Sequence, residues 1–401
     1  ILHWQATVGG GEGAAGAGER KAGGGGGDNL FGEGRPACAA WLAPLSRAYH
    51  AVYTQQEGRD FIGMRDFYNL LKLLRARPAG DRELAREDLL MALARNFGGK
   101  PEVLRRAAAR FLAECYPDEP APDAEALPLP PARALLAANL ADRVARHLMV
   151  LTANGAALPL LFRAGLVDPD RATLLVGSEF PEDRSELFLV DQVNQVKLAM
   201  AAGRTVVLLD HDNIYEALYD VLNQRYVVRK DPTSGRSVRM LRLAIGARSQ
   251  LCQVEPGFRL VVVAERAHAY ARLDLPLLNR FEKQVLLPED LLRPAGRQLL
   301  DALRAWADGL VRESGAGTLQ AVFCGAHPGT LPSLALQLQM EAEAAADDDD
   351  AGAAAEGGGS PAAWLAAAKR RLLAVATPLA ALHCRELRAL ADDAEEGGAG
   401  E

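Results

Sequence analysis

The run TVVLLD at residues 205–210 ends a Val/Leu-rich stretch on Asp210. An Asp at the end of such a strand is how a Walker B carboxylate is delivered to Mg2+–ATP, at the carboxyl ends of parallel strands where α/β sites gather. In a hydrolysing site a Glu follows and polarises the attacking water; here the follower is His211. Read alone, the run favours the plainer alternative, that Asp210 merely caps the next helix. The phosphate cradle that should accompany it, GxxxxGK[ST] after the first strand, is missing. After HLMVL come TANGAALPLLFRAG, with Gly155 as the one early glycine, no Lys before a Ser or Thr, and Pro159 where a helix should run. Without that Lys and a loop of backbone N–H groups, ATP loses its main attraction. His211, Asp212 and His268 suggest a metal site, but no H-x-x-x-H or comparable ligand spacing supports it. Cys38, Cys115, Cys252, Cys324 and Cys384 form no CxxC pair. They indicate neither zinc nor a disulfide framework, and a reduced, intracellular compartment fits them best.

The elements that must position Asp210 can be read from apolar runs. Residues 146–151, 172–177, 205–210 and 258–264 are short Val/Leu-rich runs separated by helical patterns. That order predicts a buried parallel sheet. Residues 225–248, basic and β-branched around a DPTSG turn, predict a hairpin insert. Upstream, Trp41, Leu45, Tyr49 and Val52, then Phe67, Leu70, Leu71 and Leu74, recur at helical spacing, with Pro78 and Gly80 ending the second helix. Downstream, Leu300, Leu303, Trp306 and Leu310 share one helical face, and a second amphipathic helix is expected over residues 364–375.

The 401 residues are enough for two or three domains, and 49% hydrophobic with 24% charged residues is ordinary globular composition. A net charge of −7 gives no footprint for nucleic acid. No apolar run approaches the ~20 residues of a membrane span, and the start has neither a secretory pattern nor an initiator Met, so the chain reads as a piece of a longer one. The expected organisation is a disordered Gly-rich start at 1–36, a helical block at 37–116, a Pro-rich linker at 117–131, an α/β core at 132–288, a helical segment at 289–340, a low-complexity linker at 341–360, a helical segment at 361–391 and an acidic tail at 392–401.

The run GFRLVVVAERAHAYARLDLPLLNRFEKQVLL resembles the end of an AAA+ core of the midasin and dynein type, in which a strand ends in a polar sensor 1 residue and an L-P-x-L-x-N-R-F helix precedes the last strand. By that resemblance Glu265 stands at the sensor 1 position, usually Asn, and Arg280 is an arginine finger acting in trans. An Arg suits this role because its planar, permanently charged fork fits a γ-phosphate; the plainer alternatives are that Arg280 pairs with Glu282 or faces water. GMRDFY resembles the sensor 2 region of an AAA+ small domain, which makes Arg65 the sensor 2 residue of a preceding unit. Together with RHLMVLTANGAAL, LLVGSEFPED, VNQVKLAMAAGRTVVLLDHDN, FCGAHPGTLPSLALQ and LLAVATPLA, these runs are similar to the mysterin (ring finger protein 213-like) family of giant AAA+ ATPases and RING-type E3 ubiquitin ligases.

The resemblance implies an α/β fold, an AAA+ P-loop-NTPase-like core with a parallel sheet flanked by helical lid and linker segments. Residues 37–116 would be the lid of a preceding AAA+ unit and 132–288 a degenerate core, with Asp210 a Walker B remnant. ATP and Mg2+ would sit at the neighbouring unit's site, with none in this core and no metal of its own. Partners would be adjacent AAA+ units of the same chain, with ubiquitin and its E2 reached only through parts absent here, no nucleic acid and no transmembrane segment. Location would be cytoplasmic, with lipid-droplet association in the family's manner. The competing expectation is a scaffold that binds partners through the basic insert and takes no part in ATP turnover.

Overall fold

The four Val/Leu runs become strands of one sheet, because continuous apolar stretches are stable only where both faces are covered. They form β1 (Leu148–Thr152), β2 (Ala172–Val176), β3 (Thr205–Leu209) and β7 (Arg259–Glu265), completed by β8 (Glu282–Val285) in the order β2-β3-β7-β1-β8. β1 pairs with β7, β7 with β3 and β3 with β2, all parallel. Every residue of β1 is buried, whereas β2, at the edge, is largely open. The computed structural model describes residues 37–56, 61–75, 84–230, 235–245, 248–348 and 361–385. The Gly-rich start, Pro78 and Gly80, most of the DPTSG turn, most of the low-complexity linker and the acidic tail lie outside the described residues.

The chain divides into two compact units, one combining residues up to Pro130 with Asp274–Lys283, the other combining Pro131–Leu273 with Gln284 onward. In the first unit, four helices form a bundle: α1 (Ala37–Gln55), α2 (Met64–Arg75), α3 (Arg86–Asn96) and α4 (Pro101–Cys115). Helix α4 buries Leu104, Ala107, Ala108, Phe111, Leu112 and Cys115, one stripe at the helical period. Tyr49 of α1 stacks on Phe67 of α2 with ring centroids 4.5 Å apart. Residues 117–130 are without helix or strand.

In the second unit, α5 (Ala132–Ala141) leads into β1, α6 (Ala157–Arg163) follows it, and α7 (Glu186–Ala202) runs between β2 and β3. Pro159 does not stop α6, contrary to the sequence expectation. It is the third helical residue, where the N–H has no intrahelical acceptor to lose. Arg259, at the start of β7, reaches across to the end of α5, donating to the carbonyls of Asn139, Asp142 and Ala145. Asn139 lies in the last turn of α5, and Asp142 and Ala145 lie in the turns that follow; each carbonyl also accepts a second bond, from Asp142 N–H, Ala145 N–H and Gln224 Nε2 respectively.

The insert has three antiparallel strands rather than two: β4 (Val227–Lys230), β5 (Ser237–Ile245) and β6 (Arg248–Gln253) in that order. Arg266–Arg272 forms α8. Beyond the sheet, α9 (Pro294–Ser314), α10 (Thr330–Asp348) and α11 (Pro361–Leu373) pack onto the same core as β1 and β7, through Leu299, Leu303, Leu310, Leu336 and Leu372. Helix α10 continues to Asp348, into the stretch whose composition reads as linker. Among the described residues no helix is long and apolar enough to cross a membrane.

Candidate functional site

Three neighbouring strand ends converge where a nucleotide site would be expected, since β1 lies between β7 and β8 at the point where the strand order reverses. The loop after β1 is short. Asn154 and Gly155 both take left-handed backbone, φ 56° and 65°, a conformation open to Gly and tolerated by Asn. Thr152 Oγ1 accepts from Ala157 N–H at 2.9 Å, fixing the start of α6. Asn154 is tied to His327 Nδ1 at 2.9 Å, and that nitrogen also accepts from Gly329 N–H. A cleft of about 820 Å³ opens beside this loop, lined by Asn154, Gly155, Leu160, His327, Leu336 and Met340 among others.

The decisive contact is at Gly155. Its N–H donates to Oε1 of Glu265 at 2.5 Å. Glu265 ends β7 in register with Thr152 of β1, so its carboxylate is delivered to the loop by the sheet itself. Asp210 follows β3 in left-handed backbone, φ 47°, with its N–H on Val263 O. Partial burial, then the Glu265 carboxylate, push the Asp210 carboxyl above its ordinary range, with His268 pulling the other way and Asp212 adding to the rise. Asp212 is paired with His268, Oδ2 to Nε2 at 2.6 Å. Three carboxylates and no lysine therefore surround the strand ends. Among the described residues no group of three or more His, Cys, Asp or Glu is placed to hold a metal ion.

His211, next after Asp210, is turned into the protein, 3% exposed, with neither ring nitrogen hydrogen-bonded. Burial lowers its pKa, which keeps the ring neutral. Gly177, after β2, explains the tight turn beside it. A Cβ there would lie 1.9 Å from Asp210 O and 2.7 Å from His211 Cα.

The remaining two expected site residues belong to the first unit. Arg65 is exposed on the first turn of α2, whose start is closed by Asp66 Oδ2 accepting from Gly63 N–H at 2.9 Å. Arg280 lies in the segment Asp274–Lys283, which groups with the helical bundle. It is 5% exposed, and its Nη1 donates to the carbonyl of Pro276. Glu282 is held by Arg95 of α3 through two parallel bonds, Nε–Oε1 at 2.9 Å and Nη2–Oε2 at 3.1 Å, with both side chains buried. Lys283 donates to Asn279 Oδ1 and lies over the Phe61 ring, which Lys100 also faces at 4.4 Å. The structure thus brings Asp210 and Glu265 together at one set of strand ends, and places Arg65 and Arg280 in the other unit. Arg95 was missed by sequence reasoning. Its one signal was the cluster FEKQ inside an apolar stretch, which asks for buried counter-charges.

Residues 137–292 match the family model described as the RNF213 AAA domain. The chain is 30% identical over 312 residues, 74% of its length, to the E3 ubiquitin-protein ligase RNF213 of Homo sapiens. It is 33% identical over 273 residues, 67% of its length, to that of Mus musculus, and 30% identical over 274 residues, 66% of its length, to the E3 ubiquitin-protein ligase rnf213-beta of Danio rerio. The chain spans 6% of the human relative's length and 5% of each of the other two.

Proposed function

Residues 137–292 belong to the RNF213 AAA domain family, and from that premise we propose that they form a non-hydrolysing AAA unit that serves ATP turnover at a neighbouring site of a longer chain. The observation that carries this reading is the Gly155 N–H donated to Glu265. A carboxylate from the sensor 1 position fills the role a phosphate oxygen would play, and it is attached to the protein and always present. The longer protein would join this AAA region to ubiquitin-ligase activity, as the names of its relatives state for them. The direct test is titration of the chain with fluorescent ATP and Mg2+. No saturable binding is expected; micromolar affinity would remove the proposal.

The neighbour would be served by Arg280 as a finger. The grouping of Asp274–Lys283 with the bundle that bears Arg65 supports this reading, because a finger and a sensor 2 residue work at one site. Such fingers contribute roughly 10³–10⁵ in rate. Acting as one requires Arg280 to leave the Pro276 carbonyl and turn outward. Its burial favours a second reading, in which Arg280 closes its own turn and organises the segment. ATP turnover by an Arg280→Ala variant of the longer chain separates the two. A finger predicts a fall of at least a hundredfold with an unchanged melting temperature. A structural role predicts a lower melting temperature and a modest change in rate.

A further inference from the structure

The insert β4–β6 is unlike the rest of the chain in charge. Residues 225–248 hold seven Arg and Lys against a single Asp, in a chain of net charge −7. Its base is fixed to the core: Leu241, Leu243 and Cys252 are buried, and Lys197 of α7 donates to Gln250 of β6 at 2.8 Å. Its outer strand is not covered. All four residues of β4 are exposed, and β4 pairs only with β5, so it is a sheet edge. Arg229, Lys230, Arg236 and Arg239 line a groove of about 660 Å³ that continues past Met240 to Pro256. No acidic side chain pairs with Arg229 or Lys230 among the described residues.

We propose that β4 is the docking edge for an acidic, extended polypeptide segment, which adds to the insert as a further strand. An edge offers a row of backbone donors and acceptors to an incoming strand. Cationic side chains on an edge can also serve only to keep strands away. That purpose would not need Val227 and Val228, which stand 51% and 64% exposed in the first half of β4 and furnish apolar contacts on both faces of an added strand. Arg229, Lys230, Arg236 and Arg239, which outnumber the one acidic residue of the groove, Glu255, select an acidic partner, and the edge selects an extended one. This surface is separate from the strand ends that bear Asp210 and Glu265, and its reading does not depend on theirs.

The test uses the full chain and a fluorescein-labelled peptide of about ten residues alternating Glu with Val. Fluorescence anisotropy at physiological salt should show saturable binding that weakens as salt is raised. A peptide of the same sequence, N-methylated at alternate backbone nitrogens, keeps its charge but cannot pair with an edge, and should bind at least tenfold more weakly. The exposed variant Arg229→Glu/Lys230→Glu should lose the acidic peptide at an unchanged melting temperature, and gain a peptide alternating Lys with Val. Equal binding of the methylated peptide, or tighter binding of heparin or single-stranded RNA than of the acidic peptide, would overturn strand addition in favour of a simple polyanion surface. No binding of the acidic peptide would overturn the docking site altogether.

Discussion

At the scale of single residues, two side chains set the character of the strand ends: Glu265, which accepts from Gly155 N–H, and His211, which is buried beside Asp210. The first puts negative charge against the loop; the second puts a neutral ring into the interior. Gly177 leaves room for the backbone of Asp210 and His211. A Gly177→Ala change would press its Cβ into the Asp210 carbonyl, and backbone cannot yield as a flexible side chain can. The expected cost is about 1–3 kcal/mol or more, read as a lower denaturation midpoint of the second unit. An Ala tolerated without loss would mean that the turn after β3 is looser than described. The absence of a Lys and of GxxxxGK[ST] was legible in the sequence, because that motif is short and local. That Glu265 turns onto Gly155 was not, since 110 residues separate them and only strand register brings them together.

At the scale of elements, the segment Asp274–Lys283 is the least conventional piece: it groups with the helices of the first unit although its last two residues open β8. The Arg95–Glu282 pair fixes it there. Buried, bidentate pairs are specific, but their stability lies mainly in what breaking them costs. Arg95→Met alone should destabilise the first unit by roughly 3–5 kcal/mol, because Glu282 would remain as a buried charge without its bidentate guanidinium partner. Arg95→Met with Glu282→Leu should recover most of that loss in chemical denaturation. Additive losses would show that the two side chains do not act as a pair. The parallel strands and the amphipathic helices were legible, because apolar period is a local property of the chain. The third strand of the insert was obscured by charge, since RSQLCQ carries too few apolar residues to announce β6. The end of α10 was obscured by composition: Ala and Glu read as low complexity, yet they are also strong helix formers.

At the scale of the whole molecule, buried imidazoles tie stability to pH. His147, just before β1, accepts from Leu260 N–H through Nδ1, and burial, then Arg259, lower its pKa from 6.5 to about 3. An unfolded chain would bind a proton at this ring between those two values and the folded one would not. Stability is therefore complete above pH 6.5 and lost as pH falls, by up to about 1.4 kcal/mol per unit for this group. Burial lowers His211 as well, and it acts in the same direction. Urea midpoints should fall between pH 7.5 and pH 5.5, a window above the ordinary carboxylates, and His147→Gln should flatten the curve. A midpoint independent of pH would contradict a neutral, buried His147. One more property follows from the long detour of Asp274–Lys283. Glu282 reaches Arg95 across 187 residues, so during synthesis the helical bundle lacks its counter-charge until almost the entire sheet has emerged. Non-local closure of that kind is slow. The helices must wait, partly complete, for the tail end of the next unit, and a translation pause in the intervening stretch would leave them exposed to chaperones and proteases.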